Sequence, residues 1–183
     1  MKKVLIVIDC QNDFIDGTLA NPEAQKKVPN IVKKIDEFDG DAIIYTLDTH
    51  QDNYLETKEG KKLPYTHCVQ YTDGWQLNDD IANAITRALG RGITVDTIEK
   101  PTFGSFDVPV EVKKLVGEED FEAEFVGFCT DICVVSNALI LKAAAYESAN
   151  IIVDASCCAG VTVEKHNAAL ETMRSCQISV VGE

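Results

Sequence analysis

The stretch Val126 to Val135, VGFCTDICVV, decides how the chain folds around it. An apolar run, EFVGF, meets a polar break, CTD, and then a second apolar segment that opens ICVV. That order describes a buried strand, a sharp turn and the start of a helix. Cys133 then falls in the first helical turn, where the positive end of the helix dipole and unpaired backbone N–H groups favour a thiolate. Most free cysteines are small buried apolar residues instead, so a catalytic Cys133 needs partners from elsewhere in the sequence.

Outward from this stretch the same alternation repeats. KVLIVI (3–8) and AIIYTL (42–47) are continuous, β-branched-rich apolar runs, as expected of strands buried on both faces of a parallel sheet. ITVDTIE (93–99), residues 122–128, a strand within 150–159 and QISVVG (177–182) bring the strands to six. Between them, helical spacing predicts helices over 28–38, 77–90, 108–117, 131–149 and 162–176, with Pro29 in the first turn of its helix. Asn78 or Asp79 caps the second of these and Gly90 ends it; Gly117 closes the third. Strand–helix alternation predicts a three-layer α/β/α fold of Rossmann type with a central parallel six-stranded sheet. No repeat, low-complexity tract or linker interrupts it, so residues 1–183 read as one domain.

The chain has 183 residues, 45% hydrophobic and 26% charged, with a net charge of −13 and a sequence pI near 4.6. Such acidity speaks against nucleic acid or an anionic membrane surface as partner. The N-terminal apolar run VLIVI is too short for a signal sequence and leads into Asp9. Seven cysteines without a secretion signal or paired CxxC halves read as thiols in a reducing, cytoplasmic compartment.

Asp9, Lys100 and Cys133 each follow an apolar strand or its turn. In a parallel sheet these ends share one edge, where ligands of open α/β folds bind. A thiol nucleophile needs a base and a positive neighbour; Asp9 and Lys100 supply that chemistry. A second group, Asp48, His50 and His67 with Glu59 or Glu56, brackets the long segment 51–76. Two imidazoles and one or two carboxylates suit zinc, or manganese or iron, with positions left open for water.

The pieces VIDCQNDF (7–14), DTH (48–50), LPYTHCV (63–69), KPTFGSF (100–106), GFCTDICV (127–134) and DASCC (154–158) occur in an order that resembles the isochorismatase-like cysteine hydrolases, in their nicotinamidase branch. The resemblance covers essentially the whole chain. It implies a triad of Cys133 as nucleophile, Asp9 as base and Lys100 as positive partner. It implies a cis peptide at Phe128–Cys129 and an oxyanion site made by the N–H groups of Cys129 and Cys133. It also implies a divalent metal, zinc first, on Asp48, His50 and His67, with Glu59 a better fourth ligand than Glu56. The tryptophan that nicotinamidases often carry before the metal-loop His-Cys is replaced here by Leu63, Pro64 and Tyr65. Phe14 and Tyr65 are then the expected aromatic walls for a planar substrate, and Trp75 lies beyond the histidine. The implied activity is hydrolysis of a small amide, nicotinamide to nicotinate and ammonia, by a homo-oligomer. Two other readings stand beside it: a metal-free carbamoyl or ureido amidase, and a binding module that kept the fold.

Overall fold

The apolar runs pair side by side as one parallel sheet in the computed structural model, which describes residues 1–145 and 147–183. Its strands are β1 (Lys2–Ile8), β2 (Ala42–Asp48), β3 (Thr94–Lys100), β4 (Phe121–Phe128), β5 (Ala149–Ala159) and β6 (Ser179–Val181), in spatial order β3-β2-β1-β4-β5-β6. Between the strands lie α1 (Asn12–Ile15), α2 (Pro22–Glu37), α3 (Asp79–Gly90), α4 (Asp107–Val116), α5 (Val135–Ala145) and α6 (Val163–Ser175).

Both faces of the sheet are covered, which is why β1 carries no polar residue between Val4 and Ile8. Val4, Ile6 and Ile8 pack with Val112 of α4, Leu141 of α5 and Met173 of α6. Leu5 and Val7 pack on the other face with Ile31 and Ile35 of α2 and Ile81 of α3. Each such fully buried aliphatic side chain contributes about 1.5–3 kcal/mol of transfer free energy. The expected three-layer α/β/α architecture is what forms. Gly127 marks the closest approach within it: at φ 119° its Hα side faces β1, and a Cβ there would lie 2.1 Å from the Ile8 carbonyl oxygen.

Four elements differ from the sequence expectation, the first being the short α1, in a stretch where no helical spacing predicts a helix. The second helix starts at Pro22, not at 28, because Asn21 caps it by accepting the Glu23 N–H at 3.0 Å and Pro22 takes the first turn. Pro29 therefore sits inside α2; it is exposed, so the carbonyl it leaves without an N–H can take water. The helix expected over 131–149 divides into a wide π-type turn, Thr130–Val134, and α5, while Tyr146 lies outside the described residues. Cys157 and Cys158 lie within β5 rather than after it. Segment 51–76 stays without long elements, yet it is ordered by short 3-10 turns at Tyr54–Glu56 and Asp73–Trp75 and a bridge between His50 and Val69.

Strand order reverses direction at β1, whose neighbours are β2 and β4. Such a switch point opens a crevice at the carboxyl edge of the sheet. Among the described residues no helix is long and apolar enough to cross a membrane.

Candidate active site

The carboxyl edge gathers four polar strand ends. Asp9 follows β1, Asp48 ends β2, Lys100 ends β3, and Cys133 lies in the π-type turn after β4. Asp9 and Lys100 are fully buried, and Cys133 is 5% exposed. Lys100 Nζ lies 2.6 Å from Asp9 Oδ2, 3.6 Å from Cys133 Sγ and 3.7 Å from Asp48 Oδ1. It also donates to the Thr102 carbonyl at 3.2 Å. Thr46 of β2 donates its hydroxyl to Asp9 Oδ1 at 2.6 Å. Among the described residues Asp9 Oδ2 meets the ammonium and no other donor, so this buried oxygen keeps a lone pair that can accept a proton.

Electrostatics assign the resting protons. Burial works against the Lys100 charge, but the carboxylates of Asp9 and Asp48 outweigh it and raise the ammonium well above its ordinary pKa. Burial, then the Asp9 carboxylate, pushes the Cys133 thiol up, and Lys100 offsets this only in part. The helix-start position alone suggested a thiolate. Desolvation and the adjacent carboxylate overrule the dipole, and the proton rests on sulfur. The site can thus pass a proton from Sγ to Asp9 as sulfur bonds to carbon, with Lys100 holding charge on both.

Around Cys133 the chain is fastened from several sides. The Phe128–Cys129 peptide is cis. The Cys129 carbonyl accepts the N–H groups of Ile132 and Val134, and Cys129 and Cys133 both reach the wall of a cavity of ≈ 600 Å³. Thr130 and His166 of α6 share a 2.8 Å hydrogen bond, which gives His166 a structural partner other than Cys133. Burial pushes the Cys129 thiol up to about 12 and the Cys157 thiol up to about 11.

The second group assembles beside the first. Asp48 Oδ2 is 3.1 Å from His50 Nε2 and 3.4 Å from His67 Nε2, and Glu59 Oε1 is 3.7 Å from His50 Nε2. All ligand atoms of Asp48, His50 and His67 lie within 4.8 Å of one another, and the three residues are buried. Donors bound about 2.1 Å from a shared ion stand about 3.0–3.4 Å apart, so this spacing fits a metal. His67 shares Nδ1 with the Tyr65 carbonyl at 2.7 Å, which leaves Nε2 to face Asp48. Burial opposes the Asp48 charge, but hydrogen bonds from His50 and His67 and the nearby Lys100 hold it well below the carboxylate range. Burial and the Asp48 charge push Glu59 up, a crowding that a cation between them would relieve. Glu56 is exposed and stands outside the cluster.

The cavity joins the two groups. Asp48, Glu59, His67 and Cys133 line it, and Phe14, Leu63 and Phe103 give it apolar walls. Phe14 meets His67 edge-on at 5.7 Å between ring centroids. Tyr65, expected in the pocket, is 57% exposed and absent from the lining. The chain turns there so that the Tyr65 carbonyl, not its ring, points to His67. Trp75 also stays out: it is buried with Phe14, Leu47 and Cys68 and donates Nε1–H to Thr49 at 2.9 Å. Tyr54, which no sequence pattern singled out, packs fully buried against His50 and His67 at 4.6 and 4.9 Å. A second cavity, ≈ 630 Å³, lies by α4 and the amino end of β4 and holds no candidate reacting group.

Comparison with known proteins follows the same lines. The isochorismatase domain family matches residues 3–182. The isochorismatase family protein PncA of Bacillus subtilis (strain 168) is 30% identical over 144 residues, covering 76% of this chain and 78% of that one. A crystal structure of the nicotinamidase PncA from Bacillus subtilis superposes with a TM-score of 0.82 at 26% identity, covering 99% of each chain. The pyrazinamidase of Pyrococcus horikoshii, solved in complex with zinc, gives a TM-score of 0.76 at 25% identity over 100% of each chain.

Proposed function

The chain belongs to the isochorismatase family, and on that premise we propose that it is a cysteine amidohydrolase that converts a small planar amide to its carboxylate and ammonia. Nicotinamide is the first substrate of the class. The observation that carries the reading is the Lys100 ammonium, 2.6 Å from Asp9 and 3.6 Å from Cys133, beside a cavity that Asp48 and His67 also line.

Cys133 Sγ attacks the amide carbon while Asp9 takes the thiol proton. The carbonyl oxygen gains charge beside the N–H groups of Cys129 and Cys133; one such donor stabilises an oxyanion by about 3 kcal/mol. The intermediate collapses as Asp9 returns the proton to the nitrogen, and ammonia leaves a thioester on sulfur. A water, relieved of a proton by Asp9, then attacks the thioester, and sulfur departs with that proton as the carboxylic acid forms; the acid gives its own proton to the released ammonia and leaves as the carboxylate. Lys100 keeps its charge throughout and stabilises each anionic state of Asp9 and Cys133. Asp48, His50, His67 and Glu59 would hold a divalent metal, zinc first, with manganese and iron the others this donor set suits. When bound, the metal supplies a Lewis acid for a ring nitrogen of the substrate. Phe14 offers a flat apolar wall to that ring.

Ammonia release from nicotinamide, pyrazinamide, benzamide and a ureido compound, together with elemental analysis, tests the proposal. Nicotinamide should turn over with one equivalent of metal bound, and Cys133→Ala should reduce the rate to background. Equal background release by wild type and Cys133→Ala on every amide would overturn it, and turnover of the ureido compound alone by metal-free protein would replace it.

A further inference from the structure

We infer that Asp13 is a positioning residue that clamps the metal loop and so sets the affinity of the site for its metal. This rests on the reading of Asp48, His50 and His67 as ligands. Asp13 lies in α1 and is 7% exposed. No lysine, arginine or histidine side chain among the described residues pairs with it. Its carboxylate is satisfied by backbone instead: Oδ2 accepts the Cys68 N–H at 2.7 Å and Oδ1 accepts the Thr18 N–H at 2.9 Å. Bonds of this kind to a charged acceptor are the strong, direction-setting ones.

The residue it grips is the pivot of the loop. Cys68 follows His67 directly and holds φ at 46°, a left-handed conformation that an L-residue keeps only when its surroundings impose it. Its carbonyl accepts the His50 N–H at 2.9 Å, and the His50 carbonyl accepts the Gln70 N–H at 2.9 Å. One residue thus fixes His67 by the chain and His50 by a hydrogen bond, and Asp13 holds that residue. Two glycines make room for the clamp: a Cβ on Gly74 would lie 2.2 Å from Asp13 Oδ2, and one on Gly17 would lie 2.4 Å from Oδ1. An asparagine at 13 would keep one acceptor and turn an NH₂ toward the other N–H.

Zinc is the probe. The dissociation constant of the whole protein for Zn²⁺ is measured by competition with a chromogenic chelator, beside thermal unfolding and the rate of Cys133 alkylation. Asp13→Asn and Gly74→Ala should each weaken zinc binding about 10–100-fold, the usual cost of losing a group that orients a ligand, with alkylation of Cys133 unchanged. Asn12→Ala removes the neighbouring bond to the Asp73 carbonyl (2.9 Å) and should lower the melting temperature while leaving zinc affinity intact. Unchanged affinity in Asp13→Asn and Gly74→Ala, against a wild type that binds zinc, would overturn the clamp alone. A wild type that binds no zinc, manganese or iron would overturn the metal site as well. If Asp13→Asn does not fold, Gly74→Ala decides, and failure of both to fold would make Asp13 a determinant of the fold and end the proposal.

Discussion

Asp9 combines two demands at one position. Its backbone sits at φ 46°, which Asp and Asn tolerate better than most residues, and its carboxylate suppresses the thiolate and, in the proposed reaction, receives the thiol proton. Asp9→Asn keeps the backbone tolerance and the shape and removes only the charge. Burial, Asp9 and Asp48 raise the Cys133 pKa and Lys100 lowers it; removing the Asp9 charge takes away one raising influence and leaves Lys100 in place, so the thiol pKa should fall from its raised value. Iodoacetamide should therefore alkylate Cys133 faster at neutral pH in this variant, while amide turnover falls by at least about 10³-fold for want of the proton carrier. Slower alkylation together with lost turnover would mean that Asp9 instead activates the thiolate. Asp9, Lys100 and Cys133 could be read from the sequence because a parallel sheet puts every carboxyl strand end on one edge. Their protonation could not, since it depends on burial that only the packed sheet creates. Thr46 was hidden for a related reason: inside an apolar strand its hydroxyl gives no sign that it faces Asp9.

At the next scale, elements are joined by side chains that no pattern announces. Asn137 lies in the first turns of α5, fully buried. Its Oδ1 accepts the Ser105 N–H at 2.9 Å, and its Nδ2 donates to the carbonyls of Phe103 at 3.0 Å and Cys133 at 2.8 Å. It therefore ties the loop after β3, which carries Lys100, to the turn that carries Cys133. Asn137→Ala leaves the buried Ser105 N–H and Cys133 carbonyl without this partner, at a cost of about 2–6 kcal/mol given about 1–3 kcal/mol for each buried polar group left unsatisfied. Urea denaturation should show that loss, and kcat/KM should fall about tenfold as Lys100 and Cys133 lose their common brace. A variant with lowered stability and unaltered kcat/KM would confine Asn137 to the fold. Strands β1, β2 and β4 and the helix α3 were legible because apolar runs and capping residues are local signals. The start of α2 was not, since its first turns, PEAQKK, hold one apolar residue, Ala24, and their helical signal lies in Asn21 and Pro22 instead. The π-type turn before α5 was also invisible, because its wider hydrogen bonds follow no side-chain period. The bonds that hold segment 51–76 gave no local sign either, because they come in part from distant residues such as Asp13, not from the segment's own composition.

For the molecule as a whole, the sheet puts acidic side chains of neighbouring strands next to each other in a chain whose 30 acidic residues outnumber its 17 basic ones. Lys34 answers this on the α2 face. It reaches Glu124 of β4 at 2.7 Å and Asp154 of β5 at 2.8 Å, tying the helix to two strands. Burial pushes the Asp154 carboxyl up, but the bonds from Lys34 and Ser156 more than offset it, and its pKa lies below the ordinary value. Its contribution to stability is thus full above the unfolded-state value of about 3.9 and is lost as pH falls through the lower folded value. Burial likewise opposes the Lys34 charge, yet both carboxylates hold its pKa above the ordinary value, so its share is full below about 10.4 and is lost only as pH rises through the folded value. Neither group titrates near neutrality. Lys34→Met leaves Asp154 and Glu124 without their cation and should destabilise the protein by about 1–3 kcal/mol at pH 7, the worth of charge-assisted bonds. The deficit should shrink as pH falls below the unfolded-state value of about 3.9 and on through the lower folded value of Asp154, where that carboxylate takes up a proton and no longer needs a positive neighbour. Urea unfolding of wild type and variant at pH 7 and pH 3 measures both values, and a deficit that stays the same at the two pH values would show that Lys34 acts through the packing of its aliphatic stem rather than its charge.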